Sequence, residues 1–160
     1  MKTRSPYLEL KAVTMTSDTL FSYGNMVAMA GWIMLAVSPL WKMAERIANG
    51  VFITLLSLAY AVLAIGFFRL EDLSQFGTLQ GVKALFSNDY FLLTGWVHYL
   101  AFDLFVGCWM RRNARRHRVP HLLFVICGFF TFMLGPCGLV LYLIVRAIRT
   151  RRLAEVVVND

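Results

Sequence analysis

The chain is predicted to be all-α: a four-helix transmembrane bundle with a short interfacial helix between its second and third spans. Three observations lead there. Apolar residues make up 59% of the 160 positions and charged residues only 16%, above and below the shares usual in soluble domains. The charges leave four long runs free, about 19–41, 47–68, 90–110 and 119–145, with Asp103 alone interrupting the third. The basic residues behind the net charge of +7 gather at the ends of these runs. That placement fits attraction to anionic lipid head groups, at the arginine clusters above all, and orientation during insertion; it gives no reason to expect a nucleic-acid partner.

Each run is long enough to be a span. They hold 23, 22, 21 and 27 residues, against about 20 needed for a helix to cross the hydrocarbon. Ser38-Pro39 is predicted to end the first helix, because proline disfavours helical geometry in the residue before it. Asn49-Gly50 marks the entry to the second and Val119-Pro120 the entry to the fourth. Between spans two and three, Val82, Leu85 and Phe86 recur at helical spacing. They predict a short helix on the membrane surface, serving as a connector on the head groups or as a lid over a cavity. Gly135-Pro136-Cys137-Gly138 is expected to kink the fourth helix or let it pack closely. In the alternative, a broken, re-entrant fourth segment, both arginine clusters face one side.

No linker or repeat divides the chain, so residues 1–160 read as a single membrane domain. With four crossings, the two sides carry nine and seven basic residues, which leaves the orientation open. The first apolar stretch is too long for a signal-peptide core and is expected to remain as a span. Cys108, Cys127 and Cys137 form no CxxC pair, and a structural role is expected of them.

An ionisable residue inside a span marks a functional site by default, because its burial must be compensated. The third run carries His98 and Asp103, both near the midplane for a helix starting at Tyr90. Imidazole titrates near neutral pH and a desolvated carboxyl can hold a proton, so such groups suit proton transfer. The other reading is that both lock the bundle by hydrogen bonds. Five positions separate them, about 140° around a helix, so they do not share a face. Tyr99 lies one turn before Asp103 and does share its face. Asn25, in the first span, is either a further site residue or an interhelical packing amide. His121 is expected at the interface, and a haem held by His98 and His121 finds no support in their spacing. No metal motif, phosphate loop or Ser/His/Asp pattern is visible, and no cofactor is expected.

Leu20-Phe21, Asn25, Trp32 and Ser38-Pro39, then Trp96, His98 and Asp103-Leu104-Phe105, then Phe132 with Gly135-Pro136-Cys137-Gly138 together resemble the abscisic-acid-deficient, neoxanthin-synthase-like family of small four-span membrane proteins. The likeness covers roughly Leu20 to Ile148, and its most specific part is the Trp, His, Asp order of the third span. Plant members are required for converting violaxanthin to neoxanthin in plastids, an isomerisation of an epoxide to an allenic alcohol. The resemblance implies that Asp103 and His98 act as acid and base without a redox cofactor, on a lipophilic isoprenoid or carotenoid held near Asn25, Trp96 and Tyr99. Without a visible transit peptide, the chain is expected to be a bacterial-type member in an inner membrane. A small proton-coupled transporter working as a homodimer and a non-catalytic membrane scaffold are the alternatives.

Overall fold

The computed structural model describes residues 16–41 and 43–151, all of whose regular structure is helical. The ends of the predicted 1–160 domain, and Lys42, lie outside the described residues. Three helical stretches are long and apolar enough to cross a membrane: α1 (Ser17–Ala36), the continuous stretch Ala44–Phe67, and α5 (Asp89–Arg116).

Local chemistry sets the ends of these stretches. The Thr16 side chain accepts a hydrogen bond from the Thr19 amide and caps α1. The first helix closes at Ala36, just before Ser38-Pro39. The second span begins earlier than predicted. Helix α2 (Ala44–Ile47) runs into a π-helical turn over Ala48–Phe52, which contains Asn49-Gly50, and continues as α3 (Ile53–Phe67). Asn49-Gly50 therefore loosens a helix instead of opening one. Asn88 caps α5 by accepting from the amides of Tyr90 and Phe91, with Asp89 in the first turn and Arg115 and Arg116 in the last. All of these charges complement the helix dipole. The predicted short helix between the second and third spans is present as α4 (Leu79–Leu85), preceded by a 3-10 helix over Leu70–Gly77.

Helix α5 is the central rod. Of its most apolar stretch 44% is buried, against 17% and 11% for the other two spans. It packs on α1, on α3 and on α6 (His121–Leu134), burying Leu93, Val97, Leu100, Leu104 and Cys108. Glycines allow close approach, as is common between membrane helices. The Trp32 ring lies between Gly107 and Gly128, where an added Cβ would come 2.6 Å and 3.1 Å from it. Outward-facing Val62, Ile65, Leu122 and Ile148 are exposed, as expected of a surface that meets lipid and not of one that meets water.

The fourth run departs from the expected kinked crossing. It breaks at Gly135, whose φ of 53° and ψ of −110° end α6 and start α7 (Pro136–Thr150). The two helices then double back on each other, with Gly138 pressed against the backbone of Thr131. Tyr142 Oη donates to Asn113 Oδ1 at 2.7 Å and Arg146 Nη1 donates to the same oxygen at 3.4 Å. Asn113 belongs to the last turns of α5, near where α6 begins, so α7 ends at the level at which α6 starts. With 14 and 15 residues, each arm is about 21–23 Å long, short of the roughly 30 Å hydrocarbon. The doubled-back course matches the broken alternative, and among the described residues three helical stretches, not four, are long and apolar enough to cross.

Candidate functional site

Trp96, Tyr99 and Asp103 recur at spacings of three and four and form one face of α5. Three neighbours complete that face. From α1, Asn25 accepts a hydrogen bond from Trp96 Nε1 at 3.1 Å while its own amide donates to the Phe21 carbonyl at 2.9 Å. The Phe21 ring lies 5.4 Å from Trp96, which in turn lies 5.4 Å from Tyr99. At the inner end, Tyr99 Oη donates to the Phe132 carbonyl at 3.3 Å. That carbonyl belongs to the last turn of α6, where helix geometry leaves carbonyl groups without partners of their own.

Asp103 sits at the middle of α5 beneath the tip of the α6–α7 hairpin. It is 8% exposed, and its Oδ2 has no hydrogen-bond partner among the described residues. A Cβ on Gly135 would meet Asp103 Oδ1 at 3.3 Å, Oδ2 at 3.5 Å and the Tyr99 ring at 3.3 Å. A buried carboxyl thus lies at the N-terminal end of α7, where the helix dipole carries partial positive charge.

A family model described as ABA4-like, ABA DEFICIENT 4-like, matches residues 19–142. The chain belongs to this family. No curated protein and no solved structure matches it. The match runs from α1 into the first half of α7, so the stripe on α5 and the hairpin tip both fall within the family's own extent. Family membership supports a neoxanthin-synthase-like relation and, with the three apolar helices, a membrane protein.

Four of the five residues singled out in the sequence therefore meet: Asn25, Trp96, Tyr99 and Asp103. His98 does not join them. Its ring stacks on Phe102 at 4.6 Å and faces Tyr60 of α3 at 5.2 Å, on the side of α5 away from the hairpin. There it lines an aromatic cavity of about 220 Å³ with Phe67, Phe68, Phe76 and Phe86. Phe76 and Phe86 come from the segment joining the second and third spans, so that segment roofs the cavity and fits the lid reading. His121, at the opposite end of the bundle from His98, has Nε2 2.7 Å from the Ala36 carbonyl. The structure does not bring the two imidazoles together.

The arginine cluster holds what sequence reasoning missed. Arg111 was expected to face lipid as an anchor, yet it is 7% exposed and its Nε donates to Ser38 Oγ at 2.6 Å. The signal was spacing: Arg111 stands four and seven residues after Gly107 and Leu104, on the buried face. Asn113, also buried, accepts from both Tyr142 and Arg146 of the returning arm, and nothing local in its sequence distinguishes it.

Proposed function

We propose that the protein binds a lipophilic isoprenoid or carotenoid-type molecule along the Trp96, Tyr99 and Asp103 face of α5 and isomerises it by proton transfer. The observation behind this reading is the buried Asp103 Oδ2, without a hydrogen-bond partner among the described residues, beneath the hairpin tip. Burying such a group costs free energy unless its proton has work to do or a ligand completes it.

For an epoxide substrate the cycle balances without a redox partner. The Asp103 carboxyl gives its proton to the epoxide oxygen as the carbon–oxygen bond opens. The resulting carboxylate takes the proton from the vinylic carbon next to the opened ring carbon, the electrons of that carbon–hydrogen bond form a new double bond cumulated with the existing one, and the carboxyl ends as it began. Tyr99, one turn away, is placed to steady the oxygen, and Trp96 and Asn25 to hold the apolar skeleton. His98 stands on another face and has no part in the proton step; the expected pairing of His98 with Asp103 is replaced by one carboxyl acting twice.

The test is to express Asp103→Asn and the unaltered protein in membranes supplied with an epoxide-bearing carotenoid, and to identify extracted pigments by mass spectrometry. Retained binding with loss of the isomer supports the reading. An unchanged product profile sinks it.

The hairpin favours a second reading. Helix ends meeting a carboxylate at mid-membrane are how discontinuous helices build substrate and ion sites in transporters. Proton-dependent movement of a solute in vesicles, lost in Asp103→Asn while no isomer forms in either protein, would select it.

A further inference from the structure

At the other end of α5 lies a second, polar cavity of about 570 Å³, lined by Ser38, Glu45, Arg46, Asn49, Arg111 and Arg112, with Arg115 beside them. Four guanidinium groups thus surround one carboxylate. Glu45 is taken up by Arg115, whose Nη1 lies 3.2 Å from Oε2. Among the described residues Arg46, Arg111 and Arg112 have no carboxylate partner.

The cavity is assembled with care. Arg111 is more than nine-tenths buried, held by Ser38 Oγ at 2.6 Å and laid over the Phe124 ring at 5.7 Å. Cation–π contact and the single Ser38 bond fix the guanidinium plane while using only one of its donors. Asn49, in the π-helical turn at Ala48–Phe52, lines the same wall. A buried cation with spare donors that shares a single carboxylate, Glu45, with three other guanidinium groups is under-compensated until a further anion completes the site. The geometry that arginine forks serve best is that of phosphate oxygens.

On the far side of the Arg111–Phe124 stack is an apolar groove of about 260 Å³ between α1 and α6, lined by Met29, Trp32, Ile33, Phe124, Phe129 and Phe132. A charged recess next to a greasy channel has the shape of an amphiphile. We infer that the arginine cavity binds the phosphate head group of a membrane lipid whose chain lies in the α1–α6 groove. This site stands apart from Asp103 and does not depend on the isomerase reading.

The test uses purified protein in neutral detergent with a short-chain phosphatidic acid as probe, binding being followed by native mass spectrometry and by the shift in thermal unfolding. The double variant Arg46→Gln/Arg112→Gln is preferred because both side chains are exposed and their removal leaves the fold intact; Arg111→Gln is the second variant. Each lost guanidinium contact should weaken binding about tenfold, and a zwitterionic lipid of equal chain length should bind far less. Binding that survives the double variant overturns the site. Inorganic phosphate that displaces the lipid at equal concentration assigns the cavity to a soluble phosphate and overturns the lipid assignment. A phosphatidic acid that protects the unaltered protein, but neither variant, supports both.

Discussion

Gly135 rests on the Asp103 carboxylate, with an added Cβ only 3.3 Å from Oδ1. The hairpin turn and the buried acid are therefore one construction. The turn must have positive φ, and it must also be small.

Gly135→Ala tests both demands. A side chain at φ 53° and ψ −110° is strained by about 1–3 kcal/mol, and the new methyl would crowd Asp103 and Tyr99. The expected outcome is a lower unfolding midpoint in detergent, together with loss of whatever activity Asp103 supports. An alanine variant as stable and active as the parent would contradict the turn described.

The Asn113 amide ties the returning arm to α5. Asn113→Leu removes the acceptor that Tyr142 and Arg146 share, which should cost about 2–4 kcal/mol. Tyr142→Phe, which keeps the acceptor and removes the hydroxyl's bond to it, should cost about 1 kcal/mol. Chemical unfolding of the two variants side by side checks the order.

Close packing predicts a contrast among glycines. Gly107→Ala would drive a methyl into the Trp32 ring and should destabilise by about 1–3 kcal/mol. Gly66→Ala meets nothing within 4 Å and should stabilise α3 by up to about 1 kcal/mol. Thermal unfolding should move in opposite directions for the two.

The doubled-back segment predicts topology. Among the described residues Arg69 and Lys83 stand at one end of the bundle, while Arg46 and every arginine from Arg111 to Arg151 stand at the other. By the positive-inside rule, the arginine-rich end is expected on the cytoplasmic side. In a variant whose exposed Cys137 is replaced by serine, single cysteines at Ser74 and Arg149 should react with an impermeant thiol reagent from opposite sides. Four crossings would put them on the same side, so reaction from one side refutes the hairpin.

The parts legible in the sequence were those set by local pattern. Charge-free runs marked α1, the second span and α5, because each is a property of about 20 consecutive residues. The shared face of Tyr99 and Asp103 followed from helical spacing alone. What spacing along one helix cannot supply is the position of its neighbours. Twenty-seven uncharged residues read equally as one long helix or two short ones, and the choice turns on Gly138 meeting Thr131 and on Asn113 receiving Tyr142. Arg111 was misjudged for the same reason: its partner Ser38 is 73 positions away.

Because the α6–α7 arms reach only as deep as Asp103, they cover one face of α5 along half its length and leave that face uncovered by them along the other half. In that second half the Trp96 indole, 38% exposed, stands beside α1 and beyond the hairpin tip. On the proposed binding reading, a greasy guest enters sideways from among the acyl chains of one monolayer, and the chain's way of being inserted decides which half of the membrane it draws upon.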